Sequence, residues 1–327
     1  MSFGLPPFSA GLGPRFKSFD PPAADLRFRT HKNNKIRWEV PQRGMTHRKS
    51  KIRRKIPQRG ATRSERSMTN ASLLIIHQGA LGDVVLTFPA IMALRQKFSR
   101  IDILCQSQLG NLAVKLGLID KSYPLEAAYF ATLFSKPVDE KIKNILAGYS
   151  TILLFSFAAD LKKSISQITD SRCFLIPPRP PARVQIHVTE SLLKNLFDCG
   201  LLEAADSYDW IFARQRNLPH ESGSPIDTSK ILIHPGSGSV RKRWPLARFL
   251  KLADILEKKG LKPRFICGPA EQDLAEQLIK KNRQIHSLSK LSNLADLLES
   301  AGGYIGNDSG VSHLASFLGL PSVVIFG

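Results

Sequence analysis

The stretch "GGYIGNDSGVSHLASFLGLPSVVIFG", Gly302–Gly327, decides the fold. A short apolar run, Tyr304-Ile305, enters the polar loop Gly306-Asn307-Asp308. Ser309 or Gly310 then opens a helix that continues through Leu318. Gly319 stops that helix, Pro321 follows, and "SVVIF" reads as a strand. Strand, loop, helix and strand in this order form one unit of a parallel α/β sheet. The amides of Ser309 and Gly310 would point out of the helix N-terminus and make an anion site. Asp308 has two readings there, as a helix cap or as a ligand contact. His313, one turn inside, is open between a packed core histidine and a site residue.

The same alternation recurs on the N-terminal side. "KILIHPGSGSVRKRWP" (Lys230–Pro245) gives a strand at Ile231–Ile233, then a Gly-rich loop, then a helix over Leu246–Lys259 that ends at Gly260. "PRFICG" is the next strand and "EQDLAEQLIKK" the next helix. The hydroxyls of that loop, Ser237 among them, and the cations Arg241, Lys242 and Arg243 suit a phosphate group. A solvated charged face is the plainer reading of the same run. The spacing departs from the P-loop G-x-x-x-x-G-K-[ST], which argues against an NTPase.

Further upstream, "LLIIHQGALGD" (Leu73–Asp83) is an apolar strand ending in Gly79, Gly82 and Asp83. "VVLTFPAIMALRQKF" follows, with Val85, Phe88, Ile91, Met92 and Phe98 at helical spacing. "IDILC" and "TILLFSF" read as further strands, the region from Arg179 to Pro181 as loop, and "VTESLLKNLFDCGL" as helix. No G-x-G-x-x-G follows the first strand, which weakens a dinucleotide oxidoreductase. Asp83 is open between an N-cap and a general base at the mouth of the sheet. Two successive α/β series, separated by the Pro/Gly/Ser-rich "RNLPHESGSPIDTS" (Arg216–Ser229), imply two doubly wound domains facing a cleft. The expected boundaries are 68–215 for the first domain, 216–229 for the linker and 230–327 for the second.

Composition bounds the rest. The 327 residues are 43% hydrophobic, as in a globular protein, and the four cysteines show no C-x-x-C spacing. That favours a reducing compartment and speaks against structural zinc. With no bilayer-length apolar run and no signal-like N-terminus, the expectation is a cytoplasmic protein. The formal charge of +20 is uneven, because residues 1–67 hold 17 Lys+Arg against 4 Asp+Glu. Within that leader "KIRWEVPQRGMTHR" (Lys35–Arg48) recurs as "KIRRKIPQRGATRS" (Lys51–Ser64). It reads as a basic arm for nucleic acid or anionic headgroups, or as a solvated, disordered extension upstream of a start at Met68, the reading preferred here.

Taken together, "LLIIHQGALGDVVLTFPAIMALRQKF", "ILIHPGSGSVRKRWPLARFLKLADIL" and "GYIGNDSGVSHLASFLGLPSVVIFG" resemble, in order, the three signature regions of glycosyltransferase family 9, the ADP-heptose:lipopolysaccharide heptosyltransferases. The resemblance covers Leu73 to Gly327. It implies the GT-B fold, two Rossmann-like domains with the active site between them. It also implies inverting transfer of heptose from a nucleotide diphosphate to a lipopolysaccharide core sugar, without a metal motif and without a cofactor. By the same resemblance Asp83 is the base and Lys242 contacts the diphosphate, with Ser237 in the same loop. Asp308 binds the donor sugar, and Ser309, Gly310 and His313 belong to the donor side. Glu271 is the candidate for the ribose, and Gly79 and Gly82 shape the acceptor-side loop. The partners that the resemblance implies are a nucleotide-sugar donor, ADP-heptose, and a lipopolysaccharide core or lipid A-linked oligosaccharide acceptor. Peripheral contact with the inner face of the inner membrane is compatible with this, and no nucleic acid is expected.

Two departures stand out. His77 and Gln78 occupy positions where many members have Arg or Lys and a neighbouring residue, and "AGG" (Ala301–Gly303) replaces a more usual apolar or acidic residue before the strand at Tyr304-Ile305. The family continues past "FG" with another α/β portion and a C-terminal helix, so the second domain is expected to be cut short. Competing functions are a GT-B transferase for another nucleotide sugar and a basic nucleic-acid or membrane-surface adaptor that uses the leader.

Overall fold

The structure is a computed structural model that describes residues 71–134, 137–203 and 225–326. The basic leader, its repeat and Met68 lie outside the described residues, as does most of the linker.

The first sheet is built from β1 (Ser72–His77), β2 (Arg100–Cys105), β3 (Lys121–Pro124), β4 (Thr151–Phe155) and β5 (Arg172–Ile176). Its order is β3-β2-β1-β4-β5, and every pairing is parallel. Helices α1 (Leu81–Leu94), α2 (Ser107–Lys115), α3 (Glu140–Ala147), α4 (Ala159–Ser166) and α5 (Val188–Asp198) accompany it. The second sheet contains β6 (Asp227–His234), β7 (Lys262–Cys267), β8 (Ile285–Ser287), β9 (Ala301–Asn307) and β10 (Ser322–Ile325). Its order, β10-β9-β6-β7-β8, repeats that of the first sheet strand for strand, again all parallel. Helices α6 (Leu246–Lys258), α7 (Gln272–Lys280), α8 (Leu291–Glu299) and α9 (Gly310–Phe317) complete this half.

Leu73–Ile76 of β1 and Ile231–Ile233 of β6 are apolar because both faces of the central strands are covered there. In β1, Leu73 and Ile75 join one core cluster, whereas Leu74 and Ile76 join another with α3 and α4 through Ile142, Leu146, Leu161 and Ile165. In β6, Ile231 and Ile233 pack with Phe249, Ala253 and Leu256 of α6. The cluster on the inner side of β1 runs on into the second half through Leu314, Ala315 and Phe317 of α9. At its centre Phe88 of α1 meets Phe317 edge-on, with ring centroids 5.1 Å apart. Full burial of such a ring stabilises by about 1.5–3 kcal/mol, so the two sheets are held by a shared apolar seam.

Some element bounds differ from the reading of the sequence. Helix α1 stops at Leu94, and Phe98 reaches the core from the turn beyond it. Strand β6 begins at Asp227, inside the segment read as linker. Gly319, at φ +76°, ends α9 in the left-handed conformation that glycine adopts at least cost.

In each sheet the strand order reverses beside the first strand, between β1 and β4 and between β6 and β9. Ligands of open parallel sheets bind in the crevice at the carboxyl ends of such strand pairs. Asp83 lies just beyond β1, Ser237 just beyond β6 and Asp308 just beyond β9, so all three stand at these crevices.

Candidate active site

The loop after β1 brings Asp83 into the third position of α1. Ala80 occupies the N-cap position, and no side chain caps this helix. The N-cap reading of Asp83 is therefore corrected: its carboxylate is left for other work. Asp83 Oδ1 lies 3.9 Å from Arg179 Nε. On the other side of Gly79 sits His77, whose Nδ1 accepts a hydrogen bond from the Gly79 amide at 2.9 Å. Burial pushes the His77 pKa down to about 4, outweighing the opposing charge of Asp83.

The loop after β9 resolves the ambiguity at Asp308 in the same way. Ser309 is the N-cap of α9 and accepts from the Ser312 amide at 3.4 Å. Asp308 is free of capping and instead forms an ion pair, with Lys242 Nζ donating to its Oδ2 at 2.7 Å. Its Oδ1 lies 3.8 Å from His313 Nε2. Burial lowers the pKa of His313 while Asp308 opposes that shift. His313 is half-buried, which sets aside the reading as a sealed core histidine.

The loop after β6 is tied to the loop after β9. Asn307, fully buried, donates from Nδ2 to the carbonyls of Pro235 at 2.8 Å and Gly236 at 3.3 Å, and accepts from the Trp244 amide at 3.0 Å. The Ser237 hydroxyl donates to the Asp308 carbonyl at 3.2 Å, and Arg243 donates to the Ser237 carbonyl at 3.3 Å. His234, buried at the end of β6, has Nδ1 3.4 Å from Ser309 Oγ, and its pKa is pushed down to about 4 by burial and then by Arg243. Glu271, in the turn after β7, accepts from the Gly268 amide at 2.8 Å.

A cavity of about 500 Å³ opens between these loops. Gly82, Gln106, Gln108 and Glu126 line it from the first half, and Ser237, Glu271, Ser309 and Gly310 from the second. Ile266, Leu288, Leu291 and Leu294 add an apolar portion suited to a flat ring. Asp83 and Gly79 line a second, smaller cavity of about 160 Å³ together with His77, Phe157 and Arg179. Lys242, Asp308 and His313 line neither of these cavities and form a charged cluster of their own. Among the described residues no group of three or more His, Cys, Asp or Glu side chains could hold a metal ion. No helix among them is long and apolar enough to cross a membrane.

Among the residues of this region that the sequence reading did not assign to the site are Asn307, His234, Phe157 and Arg179. Their shared signal is position: His234 and Asn307 end strands β6 and β9, and the other two follow β4 and β5 within three residues. Placement at a carboxyl strand end, rather than residue type, would have found them.

The family model described as glycosyltransferase family 9 (heptosyltransferase) matches residues 173–327. The chain is 22% identical over 284 residues to lipopolysaccharide heptosyltransferase 3 of Escherichia coli (strain K12), covering 75% of this chain and 79% of that protein. It is 32% identical over 150 residues to lipopolysaccharide heptosyltransferase 1 of Campylobacter coli, a match that spans 44% of that protein and 43% of this chain. Among solved structures, the E. coli heptosyltransferase WaaC with ADP-2-deoxy-2-fluoro heptose superposes with a TM-score of 0.59 at 18% identity, covering 77% of this chain and 88% of that one. The family 9 glycosyl transferase from Veillonella parvula DSM 2008 gives 0.58 at 19% identity, with 78% and 81% coverage. These likenesses carry the GT-B fold. With the three motifs in order and the family match over residues 173–327, the chain is similar to glycosyltransferase family 9, the heptosyltransferase family, and is a glycosyltransferase.

Proposed function

We propose that the protein transfers heptose from ADP-heptose to a sugar hydroxyl of the lipopolysaccharide core, with inversion, and that Asp83 is the general base. The observation that carries this reading is the meeting of the two helix starts. Gly82 of α1 and Gly310 of α9 are in contact, so Asp83 stands one residue from the N-terminus that receives the leaving group.

In the proposed step the acceptor oxygen attacks the anomeric carbon from the face opposite the diphosphate. Its proton passes to Asp83, and the bond between the anomeric carbon and the phosphate oxygen breaks with its electrons leaving on ADP. The charge that develops there is met by the Ser309 and Gly310 amides at the start of α9, the Ser237 hydroxyl and Lys242. Lys242 is already paired with Asp308. Donor binding would bring the phosphate to the lysine and the sugar hydroxyls to the aspartate, so the pair is a preformed clamp. Glu271 is assigned to the ribose, and the donor is a substrate, so the reaction calls for no cofactor. His313 is assigned to holding Asp308 in place.

The test is to incubate the full chain with ADP-heptose and lipopolysaccharide truncated at successive core positions, and to follow the acceptor by mass spectrometry. Addition of one heptose, with inverted configuration by NMR, is expected. Transfer from another nucleotide sugar and none from ADP-heptose would overturn the donor assignment.

A further inference from the structure

The order of the second sheet gives the 500 Å³ cavity a direction. Ser309 and Gly310 follow β9, Ser237 follows β6, Glu271 follows β7, and Leu288 and Leu291 follow β8. These strands stand in the order β9-β6-β7-β8. A nucleotide with its diphosphate at the start of α9 and its ribose at Glu271 therefore carries its base to the β8 edge. There Leu288, Leu291 and Leu294 offer the apolar wall that a flat ring needs.

At that edge the first half closes on the second. The Leu291 amide, at the start of α8, donates to Gln108 Oε1 of α2 at 3.3 Å. Lys115 Nζ, at the far end of α2, donates to the Ser292 carbonyl at 3.0 Å and pairs with Asp296. The start of α2, with Ser107 and Gln108, and the turn after β3, with Glu126, thus line the same cavity as the leucines.

Glu126 is held there as a fixed charge. The Ser107 amide donates to its Oε1 at 3.0 Å and its Oε2 at 3.2 Å, and the Ser107 hydroxyl donates to Oε1 at 3.3 Å. Its own amide and that of Ser107 hold its carboxyl below the usual range, so it is ionised at physiological pH. Three donors on about four lone-pair sites leave room for one more.

Among the described residues that line the cavity from the first half, Glu126 alone carries a charge. A carboxylate repels a phosphate, so the group it meets is a neutral donor at the other end of the nucleotide. With the ribose at Glu271, the neutral donor that remains is an amino group on the base. Adenine presents one at its 6-position, where guanine presents an acceptor oxygen that a carboxylate opposes.

We propose that Glu126 reads the base: its carboxylate accepts a hydrogen bond from the 6-amino group of adenine. The half of the protein that lies across from the diphosphate site then sets the preference for an adenine nucleotide, and Ser107 keeps the carboxylate in place for it. This inference rests on the donor being an ADP-linked sugar with its ribose at Glu271.

The test is calorimetric titration of the full chain with ADP and with purine riboside 5′-diphosphate, which lacks only the 6-amino group, and with UDP as a further control. The parent is expected to bind ADP about tenfold or more tighter than purine riboside diphosphate, as for a site left with an unpaired polar group. In Glu126→Ala the two ligands should come within about twofold of each other, with the loss falling on ADP. Glu126→Gln keeps an oxygen for the Ser107 amide but loses the charge. It should hold purine riboside diphosphate as the parent does and bind ADP less tightly. A parent that binds the two purine ligands equally would overturn the proposal. So would variants that weaken both alike, because Glu126 would then only brace α2. If ADP keeps its advantage over UDP while Glu126 leaves the purine comparison unmoved, this proposal fails and the donor reading stands. If the parent binds UDP more tightly than ADP, the donor reading itself fails. Should Glu126→Ala not fold, the parent and Glu126→Gln decide.

Discussion

Gly82 and Gly310 face each other where the two halves of the protein meet. A Cβ built on Gly310 would stand 2.8 Å from the Gly82 backbone nitrogen and 2.9 Å from Leu81 Cβ. The first neighbour is backbone, which cannot swing aside, so any side chain at Gly310 must push α1 and α9 apart.

Gly310→Ala is therefore expected to destabilise by about 1–3 kcal/mol, as for overpacking, and to lower turnover as the Asp83 side retreats from the Ser309 side. Without the clash the same change, at the first residue of a helix, would stabilise through helix propensity by up to about 1 kcal/mol. Urea denaturation reads the sign, and a stabilised, fully active variant would refute the close contact.

Asn307 holds the loops after β6 and β9 together through three hydrogen bonds. Asn307→Ala leaves buried backbone groups without partners, at a cost of roughly 1–3 kcal/mol, and should weaken ADP binding although no contact between Asn307 and the nucleotide is invoked. Calorimetric titration with ADP, alongside a thermal melt, checks both effects. Unchanged ADP affinity would mean that the loops keep their geometry without the staple.

The Lys242–Asp308 pair tells a different story, because the lysine side chain is 53% exposed. Such pairs add about 0–1 kcal/mol to stability. Lys242→Ala should leave the melting temperature almost unchanged while ADP binding weakens by about 1–3 kcal/mol, as for loss of a charge-assisted hydrogen bond. Equal ADP affinity in the two proteins would remove Lys242 from the donor site.

His77 and His234 give the fold a pH dependence of known sign. Burial pushes both pKa values down to about 4, against about 6.5 for an unperturbed histidine. Between these values the unfolded chain binds protons that the folded chain does not. Stability that is present above pH 6.5 is therefore lost as the pH falls towards 4, by on the order of 3 kcal/mol per ring. Denaturation midpoints across this window should fall less steeply for the His77→Gln, His234→Gln double variant. Identical slopes would show that the two rings do not resist protonation.

Much of the architecture was legible because the central strands are buried on both faces. The interiors of β1 and β4, Ile231–Ile233 of β6 and the second half of β7 read as apolar runs. Two of the edge strands, β3 and β8, did not announce themselves, whereas the edge strand β10 did. "KSYP" of β3 and "IHS" of β8 are half-exposed, with one flank unpaired, so neither alternation nor hydrophobicity marks them. At the site, the Gly-flanked Asp83 and the Asn-Asp-Ser-Gly loop stood out as local motifs. Which carboxylate caps a helix was not legible, because capping depends on one residue of register: Ala80 and Ser309 hold those positions. The cavity at His77 was hidden for a different reason. Its wall is assembled from the ends of three strands, and Phe157 and Arg179 lie some eighty to a hundred residues beyond β1.

The central claim is that Asp83 accepts the proton of the attacking hydroxyl, and single-turnover transfer by Asp83→Asn tests it most directly. The substitution keeps size and shape, and no helix cap is lost with it. With ADP-heptose and a truncated lipopolysaccharide acceptor, the rate should fall by about 10²-fold or more, the scale of a lost general base, while ADP binds the variant as tightly as the parent. Transfer by Asp83→Asn at a rate near that of the parent would contradict the claim.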